Sequence, residues 1–182
     1  MGFYFDQTRC TGCYTCSVAC KDWNNIAAGL ISWRKIKKVE EGKFPKLFLA
    51  YFSYSCYHCK EPSCIKACPV NAIIKRKKDG IVIVDDQICI GKKQCGSKCF
   101  KACPYDIPQF GPEENAKMQK CNFCIERLDQ GQQIICVEAC PMYALDAGLL
   151  EDLKKKYGGG VDAEGFQFYD KIEPSIILKL KL

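Results

Sequence analysis

Sixteen of the 182 residues are cysteine, and they are grouped rather than scattered. Four sets of four follow one another: Cys10-x2-Cys13-x2-Cys16-x3-Cys20, Cys56-x2-Cys59-x4-Cys64-x3-Cys68-Pro69, Cys89-x5-Cys95-x3-Cys99-x3-Cys103-Pro104 and Cys121-x2-Cys124-x11-Cys136-x3-Cys140-Pro141. Each set closes on Cys-x3-Cys, and three of them add a proline. Cysteine at this density serves one of three chemistries: a disulfide framework, structural zinc or iron–sulfur clusters. A single histidine, His58, accompanies them.

Disulfides require an oxidising compartment. The stretch Met1 to Arg9 has no basic segment followed by an apolar core, and Asp6 arrives early, so it does not read as a secretory signal. No apolar run approaches the ~20 residues of a membrane span. A cytoplasmic location is therefore expected, and disulfides rarely persist there. Structural zinc takes paired ligands and commonly includes histidine. Here every set has a third and fourth cysteine within reach, and one histidine cannot serve four sites. A Rieske centre, which needs two histidines, is excluded.

Iron–sulfur cubanes suit the spacing. A cubane has four iron corners, and cysteines at i, i+3 and i+6 wrap three of them. The fourth cysteine, before proline, starts a helix that points away and reaches a neighbouring cube. Proline fits that first helical position because no amide hydrogen is needed there. His58, between Cys56 and Cys59, is read as a donor to backbone or to a cluster sulfur rather than as a ligand. Trp23, Trp33 and the tyrosines are read as core packing. The formal charge of +6 counts every cysteine as neutral. An oxidised cubane with four thiolates carries a net negative charge, so four such sites bring the loaded protein to about −2. The basic excess then compensates cluster charge and gives nucleic-acid binding little support. Lys21, Lys60, Lys66 and Lys101, in or beside the cysteine loops, are candidates for that compensation.

An internal repeat underlies the motifs. Phe3-Tyr-Phe-Asp6 precedes Cys10 as Ile81-Val-Ile-Val-Asp85 precedes Cys89, and Cys68-Pro-Val-Asn-Ala-Ile73 matches Cys140-Pro-Met-Tyr-Ala-Leu145. A duplicated unit of short strand, cysteine loop and short helix is expected. Between the motifs, residues 17–29 read as a helix and residues 44–52 as a strand. Lys75 to Gly80 reads as a hairpin turn. Leu149 to Tyr157 reads as a short helix stopped by Gly158-Gly-Gly160. The tail ends in alternation, with Leu178, Leu180 and Leu182 on one side, as in a one-faced strand. That strand is expected to dock on the catalytic subunit or on a second copy of this chain, with folding back onto this chain's own modules as the alternative.

These motifs resemble the four-cluster, ferredoxin-like beta subunits of the dimethyl sulfoxide reductase family of molybdenum and tungsten bis-pterin enzymes. The resemblance rests on residues 55–69, on residues 80–91, and on residues 120–131 continuing through Cys136-Val-Glu-Ala-Cys-Pro141. The small polyferredoxin subunits of aldehyde:ferredoxin oxidoreductase-family tungsten enzymes, including the benzoyl-coenzyme A reductase kind, are similar as well, and the cysteine motifs do not separate the two. The resemblance implies an α+β fold of two intertwined bacterial-ferredoxin-like modules: an outer one from residues 1–30 and 116–158, and an inner one from residues 50–115, with residues 159–182 as a tail. It implies four 4Fe–4S clusters. Their ligands would be Cys10, Cys13, Cys16 and Cys140; Cys20, Cys121, Cys124 and Cys136; Cys56, Cys59, Cys64 and Cys103; and Cys68, Cys89, Cys95 and Cys99. The third motif departs from the family, which usually has Cys-Ile-Gly-Cys where this chain has Cys89-Ile-Gly-Lys92. A three-iron cluster or an empty site is the alternative there. The implied role is one-electron transfer between a catalytic molybdenum or tungsten bis-pterin subunit and a further redox protein, with no catalytic residue in this chain. A free polyferredoxin acting as a diffusible carrier is the other reading.

Overall fold

The computed structural model describes residues 1–181. Its strands are β1 (Gly2–Asp6), β2 (Lys35–Lys43), β3 (Lys46–Tyr54), β4 (Ile73–Lys75), β5 (Val82–Val84), β6 (Gln109–Phe110), β7 (Met118–Gln119), β8 (Leu145–Gly148) and β9 (Ile176–Lys179). The helices are α1 (Thr15–Trp23), α2 (Ser63–Ala67), α3 (Lys92–Cys95), α4 (Lys98–Lys101), α5 (Ile125–Leu128), α6 (Ile135–Glu138) and α7 (Leu150–Tyr157). This is a mixed arrangement of short helices and short strands, and loops carry most of the cysteines.

The main sheet has the order β8-β1-β9, with β1 antiparallel to β8 and parallel to β9. All five residues of β1 are buried because the strand is paired on both edges and covered on both faces. Side chains alternate across a strand, so Phe3 and Phe5 join Leu145, Ile176 and Leu178 in the principal core. Tyr4 faces the other way with Ile177 and Leu153. There α7 closes the back of the sheet, and the Tyr4 and Tyr157 rings stack at 3.7 Å.

The repeat seen in the sequence has a structural counterpart. The Asp6 amide donates to the Ala144 carbonyl at 2.8 Å, and the Asp85 amide donates to Ala72 at 2.8 Å. Asp6 Oδ1 accepts from the Thr8 amide and Asp85 Oδ1 from the Gln87 amide, each at 2.9 Å. In both places a strand before the cysteine loop pairs with a strand that follows Cys-Pro-x-x-Ala: β1 with β8, and β5 with β4.

Three expectations change. Helix α1 stops at Trp23, short of residue 29, because Asn25 takes a left-handed conformation (φ 49°). The Ile26 amide then bonds the Lys21 carbonyl and the Asn25 amide that of Asp22, a Schellman closure. The strand expected over residues 44–52 begins at Lys46 and continues to Tyr54, and it pairs with β2, whose charged sequence gave no strand signal. The apolar face of the tail is covered within this chain. Its strand, β9, lies against β1, and Ile176, Ile177 and Leu178 are buried within this chain. One edge of β9 is paired with β1, and Leu182 lies outside the described residues. Replacing Ile177, which is 1 % exposed, with Ala is accordingly expected to cost about 2–5 kcal/mol. Chemical denaturation of the loaded protein measures this, and an unchanged midpoint would show that β9 adds little.

Candidate iron–sulfur sites

All sixteen cysteines are free thiols, and eight of them are buried. The first cavity of interest is lined by Cys10, Cys13, Cys16 and Cys140 together with Phe5, Ile36 and Leu145. A second is lined by Cys68, Cys89, Cys95 and Cys99 with Ile73, Val84 and Met118. The remaining eight thiols form two further groups. Cys20 lies within reach of the charges of Cys136 and Cys124, and Cys121 within reach of Cys20 and Cys136. Cys59 faces Cys56, Cys103 and Cys64.

Neighbouring groups lie within electrostatic reach of one another. Cys16 of the first is close to Cys136 of the second, Cys121 of the second to Cys56 of the third, and Cys64 of the third to Cys99 of the fourth. The stretched spacing from Cys89 to Cys103 is absorbed by α3 and α4, which are separated by a left-handed pair, Gly96 and Ser97 (φ 63° and 55°). Cys95 and Cys99 still reach the same void.

Burial and mutual repulsion push Cys20, Cys59 and Cys64 up to about 12, and Cys99 and Cys124 to about 11. Thiols held that high do not ionise at neutral pH unless a cation takes them. Iron does so, because thiolate is the form that binds metal. Among the described residues no three of these side chains, alone or with His, Asp or Glu, converge on a single-ion site. Four thiols spread around a void suit a cubane, which offers them four separate corners.

The surroundings are prepared for sulfur. The Ala144 amide donates to Cys140 Sγ and the Phe123 amide to Cys121 Sγ, each at 3.4 Å, and Thr15 Oγ1 donates to Cys13 Sγ at 3.4 Å. His58 is buried, and its Nδ1 accepts the Val82 amide at 3.0 Å. The ring hydrogen therefore sits on Nε2, which is buried without a protein partner. An acceptor outside the protein, such as cluster sulfide, answers that need. Gly12 (φ 70°) allows the first loop to press against the hairpin, since a Cβ there would meet the Tyr51 ring at 2.4 Å.

The lysines singled out in the sequence do not compensate buried charge. Lys60 and Lys66 pair with Glu173 and Glu61 at the surface, Lys101 is exposed, and Lys21 bonds the Gly29 carbonyl. The buried cations are Arg34 and Lys120, at 2 % and 3 % exposure. Nothing in the residues next to either one marks it as buried. Trp23 is not core either. It is 41 % exposed, with Arg127 over its ring.

Four groups of four thiols, each within electrostatic reach of the next and ringed by donors to sulfur, define an iron–sulfur electron-transfer protein with several 4Fe–4S clusters. The 4Fe-4S dicluster domain family matches residues 47–150. The B subunit of anaerobic dimethyl sulfoxide reductase from Haemophilus influenzae is 39 % identical, across 98 % of this chain and 88 % of that protein. Its namesake from Escherichia coli is 39 % identical across 98 % and 87 %. The iron-sulfur subunit of formate dehydrogenase-O from Escherichia coli is 35 % identical across 82 % of this chain and 53 % of that protein. The protein belongs to this family of 4Fe–4S electron-transfer subunits, which are not themselves catalytic.

Proposed function

We propose that this chain relays single electrons between a molybdenum- or tungsten-pterin catalytic subunit and a second redox partner. What supports the reading is that each cysteine group lies within electrostatic reach of the next, through Cys16 and Cys136, Cys121 and Cys56, and Cys64 and Cys99. The relatives' names point to the first of the two partner families that the motifs resemble. Bound clusters would supply one-electron redox capacity. The chain's own residues ligate, bury and tune them.

The ligand sets in this proposal are Cys10, Cys13, Cys16 and Cys140; Cys20, Cys121, Cys124 and Cys136; Cys56, Cys59, Cys64 and Cys103; and Cys68, Cys89, Cys95 and Cys99. Two intertwined modules accompany them: an outer one built on β1 and β8, from residues 1–30 and 116–158, and an inner one on β4 and β5, from residues 50–115. The matched hydrogen bonds of Asp6 and Asp85 support this duplication. No described helix is long and apolar enough to cross a membrane. Sixteen cysteines with no disulfide between them suit a reducing compartment such as the cytoplasm.

Purified without oxygen, the protein should be brown and contain about sixteen iron and about sixteen sulfide per chain. Bound zinc in place of iron would end the reading. Affinity capture from its own cells should bring down a molybdenum- or tungsten-containing subunit in a fixed ratio. Elution of the iron-loaded chain alone would favour a diffusible carrier.

A further inference from the structure

Arg34 precedes β2 and lies in the centre of the molecule. Its carbonyl accepts from Ser17 Oγ at 2.7 Å and from Ser32 Oγ at 2.6 Å, which fixes the backbone. The guanidinium donates through Nη1 to Ser53 Oγ at 3.1 Å and through Nη2 to Ser55 Oγ at 2.9 Å, and it stands 4.7 Å from the Phe3 ring centroid. Among the described residues no carboxylate pairs with it. A permanently charged group removed from water must be matched by an anion, and the groups within its electrostatic reach that become anions on binding iron are Cys136, Cys16, Cys121 and Cys20.

Ser53 extends this contact. Its Oγ lies 3.6 Å from Cys16 Sγ. Arginine has no acceptor, so the Ser53 oxygen must accept from Arg34. Its own hydrogen is then free to point at the Cys16 sulfur. One buried cation thus faces the second cysteine group directly and fixes the hydrogen-bond direction at the first.

We infer that Arg34 is the internal counter-ion of the two outer sites and raises their reduction potentials, directly at the site of Cys20, Cys121, Cys124 and Cys136 and partly through Ser53 at the site of Cys10, Cys13, Cys16 and Cys140. An added electron makes a thiolate-bound cluster more negative, so a fixed cation beside it favours the reduced state. The two inner sites lack this residue. Lys120, the other buried cation, faces Cys64 of an inner site, so the contribution of Arg34 is one confined to the outer pair.

The inference rests on the ligand sets proposed above. Cys140→Ser and Cys124→Ser identify the outer centres independently, so a wrong set and a wrong role give different results. Potentiometric titration followed by electron paramagnetic resonance tests the role. Arg34→Gln should lower the equilibrium constant for reduction at both outer centres at least tenfold, about 59 mV, and leave the inner two unchanged. Arg34→Lys, which keeps the charge, should stay near the parent values. Ser53→Ala should lower only the centre that Cys140→Ser removes. Arg34→Gln with full iron and unchanged potentials overturns the proposal, as does an equal shift at all four centres. If Arg34→Gln fails to load iron, Ser53→Ala and Arg34→Lys decide. Loading with the shifts just stated supports the role; Ser53→Ala without a shift, or Arg34→Lys with potentials lowered tenfold, sinks it.

Discussion

Replacing Cys140 with Ser should damage the centre served by Cys10, Cys13 and Cys16 and spare the one served by Cys136, its neighbour four residues earlier. Cys140 closes the fourth motif, yet its sulfur shares a void with the first motif. Cys136 lies against Cys20 and Cys124 instead. In the proposed ligand sets the two thiols of one Cys-x3-Cys segment serve different sites, as expected when the second cysteine sits where the backbone turns away from its own loop. Comparison with Cys124→Ser is decisive. Each variant should lose between about one and about four iron per chain, because a three-iron remnant or a complete loss can follow from one missing corner. Electron paramagnetic resonance should show a different signal missing in each. The same missing signal in both would refute the crossed arrangement.

The second large effect concerns the whole fold. Stripping the iron by chelation or prolonged exposure to air should collapse the secondary structure. The longest helix, α1, has nine residues, and isolated helices below ~12–15 residues are marginal in water. Three of the four sheets have two strands, which is too few to stand alone. The principal core is built partly from the thiols themselves: Cys16, Cys56, Cys121, Cys124, Cys136 and Cys140 are among its buried members. Thiolate–iron bonds exist only in the folded chain, so their binding energy is folding energy. Far-ultraviolet circular dichroism before and after chelation measures the loss. A spectrum unchanged after complete iron removal would show that the side-chain core suffices.

The cysteine groups were legible because cluster ligation imposes a local spacing. The hairpin over residues 75–80 and the helix that ends at Gly158 were legible for the same reason, since turns and helix stops have local chemistry. The duplicated strand with its aspartate could be read twice in the chain, and its hydrogen bonds match. What escaped was decided at a distance. Lys35–Lys43 is a strand only because β3 lies beside it. The Asn24-Asn25 pair was a readable helix stop that the longer helical pattern obscured. Arg34 became a buried cation through serines 19 and 21 positions later and thiols from both ends of the cysteine framework. No local pattern carries that information. The tail failed in the same way: its apolar face was visible, but the strand that covers it lies more than 170 positions earlier.

The main sheet also sets an order of events during synthesis. β1 is made first, but one neighbour follows after about 140 residues and the other after about 170. At roughly 5–20 residues per second, the strand carrying Phe3, Tyr4 and Phe5 waits on the order of 10–30 s with both edges open. Cys10, Cys13 and Cys16 wait with it, because Cys140 emerges only a few residues before β8. The strands and thiols of residues 50–115 are all on hand much sooner. With the ligand sets proposed above, assembly during synthesis is directional: the inner sites could fill while translation continues, and the outer ones would have to be kept reduced and open until the two ends meet.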